Sequence, residues 1–146
     1  MFSIKRILWP TDFSKASLLS LKTVRDLAKQ YRAKVWAVHA VPPVSALSAE
    51  LIATMPQYEG EIIKSATDRL NKIVKQKMGE AFTVYPVIKV GAAAEVISQI
   101  SKDEKIDIIV IATHGESGFR HFIFGSVAEK VIRIAPCAVL VLKPAQ

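Results

Sequence analysis

Residues 106–134 read IDIIVIATHGESGFRHFIFGSVAEKVIRI. Ile106–Ala112 is an apolar, largely β-branched run of strand length. Ser126–Ile134 reads as a helix that opens directly after Gly125. Ala112, Gly115 and Gly125 are small enough to let a bulky anion approach the backbone. The free amides of the helix's first turn and its dipole both favour phosphate there, and the Ser126 hydroxyl adds a donor. From spacing alone the alternative stands equally: an ordinary loop whose Gly and Ser punctuate the chain and cap a helix.

The pattern repeats outward from this stretch. Ile4–Trp9 is a short apolar run closed by Pro10, and Ser14 caps a helix of about sixteen residues. Lys34–Val41 is a second strand, closed by Pro42 and Pro43. Residues 42–56 read as a loop. The spacing of Ile62, Ile63, Ala66, Leu70, Ile73 and Val74 predicts a helix from Gln57 to about Met78, ended by Gly79. Phe82–Val90 is the third strand, and Gly91 turns the chain into a helix running to about Lys102. Glu95 near its start suits the positive end of the helix dipole. Ala138–Leu142 is the last strand.

Strands this apolar, alternating with helices, predict a parallel sheet covered on both faces in a doubly wound α/β architecture. Ligands of such sheets bind beyond the carboxyl ends of the strands, where the strand order reverses. The segments to inspect are therefore Pro10–Phe13, Val38–Pro42, Gly91 and Ala112–Ser126. Asp12 could accept from an adenine amino group or a ribose hydroxyl, or simply cap the first helix. Backbone groups around Ala40 could read the edge of a base. His39 reads as a satisfied core or edge histidine. A Walker lysine and the GxGxxG fingerprint are both absent.

Composition narrows the function classes. The 146 residues carry 20 Lys and Arg against 13 Asp and Glu, a net charge of +7. Most of the excess sits on Lys15, Lys22, Arg25, Lys29 and Arg32, within roughly a 100° arc of one helix. Ala16, Leu21, Val24, Leu27, Ala28 and Tyr31 lie largely opposite. A solvated face is the usual outcome, and no aromatic residues interleave with the charges, which weighs against nucleic acid. The single Cys137 excludes an internal disulfide and reads as a buried, inert thiol. His39, His114 and His121 are dispersed, so no metal-ligand cluster is expected. No apolar run reaches the roughly 20 residues of a membrane span, and the N-terminus lacks a secretory pattern. A cytoplasmic location is the expectation.

Six segments carry a resemblance: ILWPTDFS (7–14), VHAV (38–41), VGAAAEVI (90–97), DIIVIATHG (107–115), GSVAEKVI (125–132) and APCAVLVL (135–142). In this order the chain resembles the universal stress protein family over essentially its whole length, least so in 42–56. The resemblance implies one domain over 1–146, an adenine-nucleotide α-hydrolase-like fold with a five-stranded parallel sheet in the order 3-2-1-4-5. It also implies a homodimer through Ala138–Leu142, paired antiparallel with its mate and hiding an apolar edge.

One branch of that family binds ATP through the pattern G-x2-G-x9-G-S/T. This chain has Ala112, Gly115, Gly125 and Ser126 at the marked positions, with the nine-residue spacer intact. Ala112 is the departure. Its methyl narrows the site and would cost about 1 kcal/mol if a positive φ were needed. A register on Gly115 and Gly118 leaves too short a spacer.

Carried over, Gly115, Gly125, Ser126 and Val127 would hold phosphates, with Ala112 facing ribose and phosphates. Pro10, Thr11, Asp12 and Ala40 would surround the adenosine, and Ile111 would be an apolar wall. Mg2+ or Mn2+ would be held through the phosphates, without a dedicated protein site. Arg120 and His121 fall in the spacer, where they read as solvated loop residues. The function implied is a stress-response regulator that senses ATP or AMP and acts through protein partners. The alternative is a dimeric module that binds no nucleotide. Catalysis is not expected as the main function, since neither a general base nor an arginine finger is evident.

Overall fold

The apolar runs pair as a parallel sheet whose centre is dry. The computed structural model describes residues 3–43, 55–113 and 124–143. The strands are β1 (Arg6–Pro10), β2 (Lys34–Val41), β3 (Val84–Val90), β4 (Ile108–Ala112) and β5 (Ala138–Leu142). The helices among the described residues are α1 (Lys15–Tyr31), α2 (Met55–Lys77), α3 (Ala93–Asp103) and α4 (Ser126–Ile134). The sheet order is β3-β2-β1-β4-β5, all parallel. The chain winds outward from β1 to β3, crosses back to β4 and continues to β5. The order reverses between β1 and β4.

Two apolar layers follow from the period-two alternation of strand side chains. Ile7, Trp9, Val35, Ala37 and Val110 face α1 and α2, where Leu21, Val24, Ala28 and Leu70 are buried. Leu8, Trp36, Val38, Ile109 and Ile111 face α3 and α4, meeting Val96, Ile97, Ile100 and Val131. Burying a side chain of this size stabilises by roughly 1.5–3 kcal/mol.

Local chemistry sets the ends of the elements. Ser14 caps α1, its Oγ accepting from the Ser17 amide at 3.2 Å. Gly79 takes φ +68° past the end of α2 and donates to the Val74 carbonyl at 3.2 Å. The fourth strand begins at Ile108 rather than Ile106, and Asp107 ties its start to β1, its amide donating to the Arg6 carbonyl at 3.0 Å. The Asp107 carboxylate accepts from the Lys5 and Arg6 amides at 2.7 and 2.8 Å. The first strand starts later and ends on Pro10, and the third starts at Val84 rather than Phe82. Helix α2 begins at Met55, two residues before the sequence expectation, while residues 44–54 of the expected loop lie outside the described residues.

Three expectations are corrected by exposure. Strand β3 is half wet, with Tyr85, Pro86, Lys89 and Val90 exposed, because it is an edge strand. Thr83 and Gly91 both bond to β2, so Pro86, one step out of phase, turns its missing N–H to the open edge. Tyr31, the last residue of α1, is exposed instead of joining its apolar face. Cys137 is only partly buried. The basic residues Lys15, Lys22, Arg25, Lys29 and Arg32 are all exposed.

Candidate functional site

At the carboxyl ends of β1 and β4 the backbone turns away on both sides of the reversal point, and a cleft of about 140 Å³ opens there. That is several times the roughly 30 Å³ share of one water molecule. The β1–α1 turn supplies Pro10, Thr11 and Asp12, and β2 supplies Ala40. The end of β4 contributes Ile111 and Ala112, and the start of α4 contributes Gly125, Ser126 and Val127. Nine of the ten sequence-predicted site residues thus line one cleft. The tenth, Gly115, lies outside the described residues, as do Gly118, Arg120 and His121.

The β1–α1 turn is tied down by its own side chains. The Thr11 amide donates to the Val38 carbonyl at 2.9 Å, extending the β1–β2 ladder one residue past Pro10. Thr11 Oγ1 accepts from the Phe13 amide at 3.0 Å and shares a hydrogen bond of 2.9 Å with Ser17 Oγ. Asp12 does not cap α1, since Ser14 holds that position. Instead Asp12 Oδ1 accepts from the Ser14 amide at 3.0 Å, and the residue stays exposed on the cleft. His39, half-buried, places Nδ1 2.7 Å from the Thr11 carbonyl.

Thr113 links β4 to α4. It is buried, its amide donates to the Leu142 carbonyl at 2.9 Å, and its carbonyl accepts from the Gly125 amide. Gly125 is the N-cap residue of α4 (φ −67°, ψ 158°) and offers no capping side chain. The first intrahelical bond runs from Glu129 to the Gly125 carbonyl at 3.0 Å. The amides of Ser126, Val127 and Ala128 precede it and have no partner among the described residues. They stand at the positive end of the helix dipole, where an anion is stabilised. Ala112 is not at positive φ, so the backbone penalty foreseen for its methyl does not arise.

Six further residues line the cleft beside the ten named as site residues: Val38 and Thr113, which fall in segments marked for inspection, and Ser17, Ala93, Ile97 and Ala128, which do not. Val38 was findable, being two positions from Ala40 on the same strand face. Ala93 and Ile97 sit one turn apart on α3, brought in by Gly91. That residue has φ +154°, donates to the Val41 carbonyl at 2.8 Å, and leaves room for no side chain. A Cβ there would lie 2.9 Å from Val96 Cγ2.

Walls of Pro10, Val38, Ala40, Ile97 and Ile111 suit a flat apolar ring, and Asp12 can accept from hydroxyl or amino donors. The described lining contains no Lys, Arg or His, so amide dipoles are what it offers to negative charge. An exposed Lys130–Glu95 ion pair joins α4 to α3 beside the cleft. The Lys130 hydrogen bond holds the Glu95 carboxyl below the usual carboxylate range. Among the described residues no three His, Cys, Asp or Glu gather as metal ligands, and no helix is long and apolar enough to cross a membrane.

Comparison with known proteins shows matches along the length of the chain. Residues 3–143 match the universal stress protein family. Universal stress protein MJ0531 of Methanocaldococcus jannaschii is 34% identical over 145 residues, covering 95% of this chain and 82% of that protein. The solved structure of MJ0577, from the same organism, superposes with a TM-score of 0.86 at 29% identity, covering 98% of both chains. A universal stress protein solved in complex with cAMP shares the fold, with a TM-score of 0.65 at 23% identity, covering 98% of this chain and 99% of that one.

Proposed function

This chain belongs to the universal stress protein family, and on that premise we propose that it is a stress-response regulator that binds ATP or AMP in the cleft between β1 and β4. The observation that carries this reading is the set of amides at Ser126, Val127 and Ala128, which have no partner among the described residues and open on the cleft behind an uncapped Gly125. Phosphate would sit on these amides, the adenosine against Pro10, Thr11, Asp12, Ala40 and Ile111, and the ribose and phosphates beside Ala112. Gly115 would complete the phosphate loop. Mg2+ or Mn2+ would be carried by the phosphates, whose clustered oxygens suit a hard cation. The relative solved with cAMP supports an adenine nucleotide as the ligand class.

In this reading the protein is a cytoplasmic homodimer. The outer edge of β5, Ala138–Leu142, pairs with its mate and leaves other surfaces for protein partners. Binding rather than turnover is its role. Titration calorimetry with AMP and with Mg2+-ATP tests the reading, as does chromatography of nucleotide released on denaturing fresh protein. Saturable heat or a released adenine nucleotide supports it. Silence up to millimolar ligand in both assays overturns it. Ala112, in the place of the family pattern's first glycine, favours the second reading, a module acting through protein contacts alone.

A further inference from the structure

The turn that carries Asp12 is held from behind by three side chains that do not line the cleft. Phe13 adopts φ +64°, the left-handed region that side-chain-bearing residues rarely visit. Such an outlier persists only where its surroundings over-determine it. One face of the Phe13 ring lies on the His39 imidazole, centroids 4.3 Å apart and planes tilted by 31°. The guanidinium carbon of Arg69, on α2, stands 4.5 Å from the ring centroid. The attraction of a cation for an aromatic face persists because arginine stays charged. His39 Nδ1 is 2.7 Å from the Thr11 carbonyl. A carbonyl only accepts, so the imidazole carries a proton on Nδ1 and donates it. The column Arg69–Phe13–His39 therefore grips the turn on both sides of Asp12.

We propose that Arg69, Phe13 and His39 are positioning residues that preset the Thr11–Asp12 turn for the nucleoside side of the cleft, so that ligand affinity responds to Arg69 without any contact to the ligand. The proposal rests on the nucleotide reading above. The physical reason is the rarity of the Phe13 conformation. Released from the column, Phe13 relaxes toward an ordinary backbone region, and the Asp12 carboxylate leaves the position it holds over the cleft. Arg69 is exposed and lies on the helix that follows residues 44–54, so a change at that surface reaches the site through one ring.

The test compares the full chain with Arg69→Gln, Arg69→Lys and Phe13→Gly, using AMP as probe. Affinity is read by calorimetry, and turn opening by hydrogen exchange of the Phe13 and Ser14 amides. Arg69→Gln is expected to weaken AMP binding by about two- to fivefold and to speed exchange at both amides, with the thermal midpoint unchanged. Arg69→Lys should recover most of the affinity, because it keeps the cation. Phe13→Gly tolerates the positive φ but deletes the ring, and should weaken binding by about tenfold, losing both stacking contacts. Unaltered affinity in Arg69→Gln alongside a binding wild type overturns the proposal. If the wild type itself is silent toward AMP, the nucleotide reading has failed. The exchange measurement then decides separately, and unchanged exchange in Arg69→Gln refutes the column as a grip on the turn.

Discussion

His39 Nδ1 donates to the Thr11 carbonyl across 2.7 Å, joining the third-last residue of β2 to the residue just past β1. This bond starts where the β1–β2 ladder stops, and the Thr11 amide is already spent on Val38. Replacing His39 with Leu leaves the Thr11 carbonyl unpaired and the Phe13 ring without its stacking partner. Losing a partner for a partly buried carbonyl costs about 1–3 kcal/mol. His39→Leu should lower the urea unfolding midpoint accordingly. His39→Asn, which can still donate, should lower it less.

Gly91 is a second place where backbone conformation sets the cleft. Its φ of +154° and the 2.9 Å approach of a would-be Cβ to Val96 Cγ2 act together. Gly91→Ala must strain the turn or push α3 outward, at about 1–3 kcal/mol. Ala93 and Ile97 ride on α3, so the cleft should widen as well. A lowered thermal midpoint together with shifted Ala93 and Ile97 methyl resonances is the expected result. A stability equal to the wild type's would show that the turn adapts freely.

Much of this was legible in the chain because its punctuation is strong. Strands 34–41 and 138–142 and helix 126–134 fall where Pro, Gly and apolar runs put them, since those residues act locally. The strand tips followed from the same logic, and with them most of the cleft. The residues missed come from longer-range geometry. Ser17, Ala93 and Ile97 reach the site from helices, through a helix cap and a glycine turn whose outcome spacing does not display. The exposure of β3 escaped notice because apolar composition does not distinguish an edge strand from a central one. Asp12 was weighed as a cap, yet Ser14, two residues on, competes better from a position that can reach the Ser17 amide.

The Lys130–Glu95 pair makes a prediction about pH. Its hydrogen bond lowers the Glu95 carboxyl in the folded protein, whereas the unfolded chain titrates at about 4.3. A depressed folded value contributes stability above the unfolded value, lost as pH falls through the folded one. Both side chains are about half exposed, so the contribution is small and screened by salt. Lys130→Gln should move the Glu95 titration, followed by carboxyl NMR, upward. An unmoved titration would mean that Lys130 is not its cause.

Cys137 makes the opposite case. Partial burial raises its thiol above the ordinary range, Asp107 adds to this, and Ser101 offsets part of it. The thiolate is the reactive form, so at neutral pH the folded protein should react with a disulfide reagent such as DTNB more slowly than the urea-unfolded chain. A raised folded value contributes stability below the unfolded thiol value, lost as pH climbs through the folded one. Equal rates before and after unfolding would contradict the burial effect.

Gly125 separates helix stability from ligand binding most cleanly. Its backbone (φ −67°, ψ 158°) already has the extended geometry of an N-cap and is open to any residue. An aspartate there can turn its carboxylate onto the amides of Val127 and Ala128, which have no partner among the described residues. Capping in place of glycine is worth a few tenths of a kcal/mol, and the charge at the helix N-terminus about 0.3–1 kcal/mol more. Gly125→Asp should therefore leave the protein as stable as before, or slightly more stable. The same carboxylate fills the place proposed for phosphate and repels it. One unit charge about 4 Å away costs roughly 1–4 kcal/mol between water-like and surface dielectrics, or about fivefold to several hundredfold in affinity. Calorimetry with AMP beside a thermal melt reads both effects. A melt that holds or rises while AMP binding falls at least about fivefold is expected. A variant that melts normally and binds AMP as the wild type does would place the phosphate elsewhere.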